Sequence, residues 1–208
     1  MKKIAIVNGS PKGQGSASEA ITTALQDRLT PVANCVVCHA AKHSRDEIMA
    51  TFAGCDALVF VFPLYVDGIP SHLLRLLDEA QDAVVDVAPN TMVYGVVNNG
   101  FYEAPQNRIA LELLKNFCAR SGLKWGQGLG VGGGGMIPAL SIGRGPTKNL
   151  GKALDTFAKN ILDGKAADSL FVEPRFPRFL YQMIVHLNWR MEAKKYGLKT
   201  SQLYDKPW

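Results

Sequence analysis

The stretch IAIVNGSPKGQGSAS, residues 4–18, decides how the rest of the chain is read. Four apolar residues stop at Asn8, and a loop of glycine, serine, proline and lysine comes next. An uninterrupted apolar run is the mark of a strand buried on both faces, and such strands belong to parallel sheets covered by helices. The segment after the loop is helical: Ala17, Ala20, Ile21, Ala24 and Leu25 share one face of a helix over 16–28.

The same unit recurs. Strand-length apolar runs lie over 3–8, 34–39, 56–62, 91–98 and 126–132. Between them Ser44–Glu47 forms a capping box for a short helix carrying Ile48, Met49 and Phe52. Leu73, Leu74, Leu76 and Leu77 pattern a helix over 70–80. Over 104–121, Pro105 sits in the first turn and Gly122 just past the end, with Ala110, Leu113, Leu114 and Phe117 expected inward. A fifth helix spans 146–162. Strands alternating with helices give an α/β fold: a doubly wound, five-stranded parallel sheet. Ligands of such sheets bind outside the carboxyl ends of the strands, at a switch point.

Beyond Gly164 the pattern changes. Residues 173–208 carry no strand signal, and Phe176, Phe179, Leu180, Met183, Ile184, Leu187 and Met191 fall on one helical stripe. The chain is therefore expected to divide into a ligand-binding domain over 1–164 and a C-terminal helical extension with a basic tail over 165–208. The stripe would cover either its own chain or a partner subunit.

Composition narrows the classes. No apolar run approaches the ~20 residues that span a bilayer, and the run after Lys2-Lys3 is too short for a secretory signal. A cytoplasmic protein without membrane contact is the expectation. Cys35-Val-Val-Cys38 has no second pair nearby, so it reads as reduced, packed cysteine rather than a metal or cluster site. The four histidines are dispersed. The formal charge of +5 suits small anionic ligands, and the basic residues are scattered until the tail, which argues against nucleic acid.

The first loop, running into a helix start, offers orphan backbone N–H groups and the positive end of the helix dipole, which together suit a phosphate. Ser10, Ser16 and Ser18 can donate hydrogen bonds, and Lys12 can neutralise charge at the rim. Neither the Walker spacing nor the G-x-G-x-x-G fingerprint is met. A receiver domain would need acidic strand ends where Asn8 and Pro63 stand. Ser16–Glu19 also reads as a plain capping box, and the Glu19 carboxylate would compete with a phosphate unless turned outward.

Two more strand ends join the first: PLYVDGIPSHL from Pro63 and NNGFYEAPQN from Asn98. With GSPKGQGSAS, and in that order, these motifs resemble the flavodoxin-like NAD(P)H-dependent FMN reductases, over 2–162. The resemblance implies a flavodoxin-like fold, bound FMN and NAD(P)H as co-substrate. It assigns the FMN phosphate to Ser10, Ser16, Ala17 and Ser18, with Lys12 at the rim. Pro63, Leu64, Tyr65 and Val66 match the loop along the isoalloxazine and ribityl chain, and Asn98, Asn99, Gly100 and Phe101 match the second isoalloxazine loop. Tyr65 and Phe101 read equally as lids on the core. No side chain is assigned as catalytic and no metal is expected. The implied activity passes hydride from NAD(P)H through FMN to a small acceptor, in a homodimer. The alternatives are a flavodoxin-type electron carrier and a flavin-free interaction module. The glycine-rich segment 126–145 would leave room above the flavin, with Arg144 near nucleotide phosphates, or be a flexible loop.

Overall fold

Ile4 and Ile6 point to one side of a sheet and Ala5 and Val7 to the other, and all four are fully buried. That double burial is why the apolar runs are uninterrupted. The computed structural model describes residues 1–12, 14–81 and 91–205. Its elements are β1 (Lys2–Asn8), α1 (Ala17–Leu29), β2 (Ala33–His39), α2 (Arg45–Phe52), β3 (Ala57–Pro63) and α3 (Ser71–Ala80). After these come β4 (Met92–Asn98), α4 (Arg108–Arg120), β5 (Lys124–Val131), α5 (Lys148–Asp163), β6 (Leu170–Val172) and α6 (Arg178–Lys195).

The strands form one parallel sheet in the order β2-β1-β3-β4-β5-β6. One face packs Ile4, Ile6, Val59, Val61 and Tyr94 against α1 and α5. The other packs Ala5, Val7, Phe60, Phe62 and Val97 against α2, α3 and α4. The doubly wound α/β reading holds, with one strand more than the five expected. β6 pairs with β5 through three residues only, Leu129 with Leu170 to Val131 with Val172.

The sixth strand also breaks a topological habit. Going from β3 to β4 and from β4 to β5, the chain crosses by helices on one face; from β5 to β6 it moves in the same direction by α5 on the opposite face. The β5–α5–β6 crossover therefore has the opposite hand to the other four, a rare arrangement in parallel sheets. Other corrections are local. Leu113, expected inward, and Leu74, part of the leucine pattern of α3, are half-exposed. The Ser44–Glu47 capping box forms as read, with both reciprocal hydrogen bonds present.

Two compact units divide the chain, Met1–Pro174 and Arg175–Trp208. The second consists of α6 and a 3-10 turn over Thr200–Tyr204.

Tyr94 ties α5 to the sheet. Its hydroxyl donates to the carbonyls of Asn160 (3.0 Å) and Lys165 (3.2 Å), where α5 ends. Its ring lies over Gly126, where any Cβ would come within 2.5 Å of it. Burial pushes the phenol up to about 12. Unfolding returns it to about 10, so this group's contribution is complete below that pH and falls as pH rises towards 12. Tyr94→Phe should lower stability in urea unfolding by about 1–2 kcal/mol. The gap to the parent should narrow as pH rises above about 10.

Candidate functional site at the sheet rim

Register brings three strand ends together. Asn8 lies beside Val61, Pro63 beside Asn98, and Asn98 beside Val131. The loops after β1, β3 and β4 thus leave one carboxyl edge as neighbours. Strand order reverses between β1 and β3, which is where an open α/β sheet leaves a crevice.

The first loop is built from side chains folding back onto their own backbone. Asn8 Oδ1 accepts from the Ser10 N–H (2.9 Å), and Ser10 Oγ accepts from the Lys12 N–H (3.3 Å). Ser16 caps α1, its Oγ accepting from the Glu19 N–H (3.0 Å). Ser18 Oγ accepts from Asn98 Nδ2 (2.8 Å). All three serines are buried, and each already accepts a hydrogen bond while its own hydrogen goes to no acceptor among the described residues. The first-turn amides of Ala17 and Ser18 have no helical carbonyl to bind. The result is a cluster of donors without acceptors, a chemistry that fits a phosphate or similar oxyanion.

Glu19 is the exception. Its carboxylate accepts from the Gly15 N–H at 2.6 Å, not from the Ser16 N–H, so the expected capping box is only half made. It occupies one loop amide instead of standing clear of the loop. Lys12 Nζ donates to the Gly15 carbonyl at 3.2 Å, at the same turn.

The second loop is a tight hairpin. Tyr65 and Gly68 exchange both backbone hydrogen bonds (3.1 and 3.0 Å), and the turn residues Val66 and Asp67 have φ of 47° and 57°. The sequence signal for such a turn is Asp67-Gly68, but the turn is centred one residue earlier. A β-branched valine with left-handed backbone is strained by about 1–2 kcal/mol. Val66 is fully exposed, Tyr65 is 49% exposed and Phe101 58% exposed, so neither ring is a lid on the core. Pro63 and Leu64 are half-buried, and the Leu64 N–H donates to the Asn98 carbonyl at 2.8 Å.

The third loop is clamped from below by glycine. The Asn99 N–H donates to the Val131 carbonyl (3.0 Å), and Gly134 N–H donates back to the Asn99 carbonyl (2.7 Å). A Cβ on Gly132 would collide with the Tyr102 carbonyl, and one on Gly134 would come within 2.7 Å of the Asn99 carbonyl. The first half of the segment 126–145 is therefore packed structure rather than free loop. Its first part is β5, and 132–134 are the buried floor on which residues 99–102 rest. Asn98 Nδ2 donates twice, to Ser18 Oγ and to the Phe62 carbonyl (3.1 Å), linking all three loops. Asn99 Nδ2 donates to the Glu103 carbonyl (3.0 Å), while its buried Oδ1 has no donor.

Known proteins can now be compared with this arrangement. No family model matches the chain, and no curated protein matches it in sequence. Its structure is similar to NAD(P)H:quinone oxidoreductase from Methanothermobacter marburgensis, with TM-score 0.59 and 14% identity over 76% of this chain and 95% of that one. It is similar to the Trp repressor binding protein from Bacillus subtilis, with TM-score 0.58 and 15% identity over 73% and 95%. A flavodoxin from Streptococcus pneumoniae TIGR4 superposes with TM-score 0.57 and 13% identity over 77% and 98%. The fold is flavodoxin-like. At these identities the likeness speaks for the flavodoxin-like fold alone.

The other reactive groups lie elsewhere. Cys35 packs on one face of the sheet and Cys38 on the other, so the pair cannot form a disulfide. Burial pushes the Cys118 thiol up to about 12 and raises Cys35 and Cys55 as well. Among the described residues no cluster of His, Cys, Asp or Glu could hold a metal ion.

Removing the link should cost more than its hydrogen bonds. Asn98→Ala removes both side-chain hydrogen bonds and leaves the buried Ser18 oxygen without its donor, and should destabilise the fold by about 1–3 kcal/mol in chemical denaturation. Gly134→Ala should cost about 1–3 kcal/mol by overpacking. Gly100→Ala, with open space around its Cβ, should stay within about 0.5 kcal/mol of the parent.

Proposed function

We propose that the chain is an FMN-dependent NAD(P)H oxidoreductase that passes hydride to a small acceptor: a quinone, free flavin, azo or nitro compound, or metal ion. The observation that carries this reading is the buried trio Ser10, Ser16 and Ser18. Its unspent hydroxyl hydrogens gather under the start of α1, where strand order reverses. FMN bound there would supply the two-electron chemistry, taking hydride and giving it up again.

The chain's own residues bind and orient. Ser10, Ser16, Ser18 and the amide of Ala17 would hold the phosphate, with Lys12 at the rim. The rigid hairpin from Pro63 through Leu64 and Tyr65 to Val66 would flank one side of the ring, and Asn98 to Phe101 the other. Asn99 Oδ1, buried without a donor, is an acceptor suited to an N–H or O–H of the ligand. The Asn99 N–H is already committed to Val131, so it cannot steady charge growing on a ring. The Phe101 N–H, which takes no partner among the described residues, is the better candidate for that task. No side-chain acid or base is required. The exposed Tyr65 and Phe101 leave an open approach, which suits a co-substrate and an acceptor using one face in turn, in a cytoplasmic homodimer.

Purified protein should be yellow, bleach under NADH or NADPH without oxygen, and oxidise the nucleotide steadily with a quinone and no partner reductase. A colourless protein indifferent to added FMN overturns the reading, and bleaching only through a partner reductase makes it an electron carrier. Ser16→Asp keeps a cap on α1 but sets a carboxylate where the phosphate would lie. FMN affinity should fall at least about tenfold in a fluorescence titration, and riboflavin affinity much less.

A further inference from the structure

Charge is segregated along this chain. Residues 175–208 hold seven of the 23 Lys and Arg and two of the 18 Asp and Glu, a formal +5, while residues 1–174 hold sixteen of each and carry no net charge. The same charged unit contains α6, whose stripe of Phe179, Met183, Ile184, Leu187 and Met191 stands between 42% and 67% exposed. These positions share one face by helical spacing. Arg190 lies one heptad beyond Met183 and Lys194 one beyond Leu187, so both cations continue the stripe at its C-terminal end. The helix's single carboxylate, Glu192, is paired with Lys195 at 3.2 Å, and neither Arg190 nor Lys194 has an ion pair among the described residues.

We propose that α6 docks on an anionic lipid surface, lying in the interface with its apolar stripe down and its cations among the headgroups. A second copy of the chain offers another apolar stripe but no net negative charge to set beside it: its own α6 unit is equally positive and its sheet domain carries no net charge. An anionic bilayer supplies both missing partners at once, an apolar layer for the stripe and negative charge beside it. Arg190 and Lys194 can lay their stems along the stripe and raise their charged ends to the headgroups. No helix among the described residues is long and apolar enough to cross a membrane, and a helix in the interface need not be.

The test uses the full-length protein and vesicle flotation, read without flavin or nucleotide, so it stands apart from the oxidoreductase reading. The protein should float with phosphatidylglycerol–phosphatidylcholine vesicles at low salt, stay behind with phosphatidylcholine alone, and release at high salt. Arg190→Gln with Lys194→Gln should lower partitioning about thirtyfold. Met183→Ser with Leu187→Ser should lower it at unchanged charge, with the urea transition of the sheet domain preserved. Absence of flotation, equal flotation on neutral vesicles, or indifference to both double substitutions overturns the proposal. So does a non-floating dimer that Met183→Ser with Leu187→Ser dissociates, since the stripe then belongs to a second copy.

Discussion

The side-chain amide of Asn98 is the constraint on which the rim depends. A buried NH2 group must place both hydrogens or lose the solvation water gave it, and Asn98 places one on Ser18 and one on Phe62. Ser18 belongs to the first helix, Phe62 to the end of β3, and Asn98 itself to the end of β4. One planar group therefore fixes three segments far apart in sequence. The bond to Ser18 also decides what that hydroxyl can do. Once its oxygen accepts from Asn98, its hydrogen is left to offer, so Ser18 presents a donor on the first loop while Asn99 Oδ1 on the third remains an acceptor.

Behind this rim lies a second layer, made by leaving atoms out. Gly132 and Gly134 lack the carbon that would strike the backbone of residues 99–102, and Gly130 lacks the one that would strike Phe171 of β6. Phe171 in turn covers the gap over Gly130, its direct neighbour in the ladder. The β6 carbonyl of Val172 accepts from the Gly132 N–H at 3.0 Å. Edge strand, glycine floor and third loop are thus one stack, each layer holding the next.

Much of this was legible in the sequence, for identifiable reasons. Uninterrupted runs such as Ala57–Phe62 announce strands buried on both faces, and the order of strand ends places the three loops. Ser16 could be read as a helix cap because a small hydroxyl residue just before an amphipathic run commonly plays that part, and it caps α1. Glu19 could not: from its position it can reach the Ser16 amide or the Gly15 amide, and spacing does not choose between them. The part played by Gly132 and Gly134 is not legible in the sequence, because the reason for each is an atom contributed by another segment, such as the Tyr102 carbonyl. A three-residue strand has no periodicity, and the expected hand of crossovers argues against placing one after α5. Leu74 and Leu113 fit a helical stripe on paper, yet each sits at the margin of its helix's buried face.

The reversed crossover ends in a short edge: after α5, held at its end by Tyr94, the chain returns along β5 for three residues only. With three rungs at an open edge, β6 is where exchange of backbone hydrogens with water would be fastest within the sheet. Any such fraying releases the Gly132 amide and slackens the floor under residues 99–102. That short edge is therefore a direct lever on the rim, although two strands stand between it and β3.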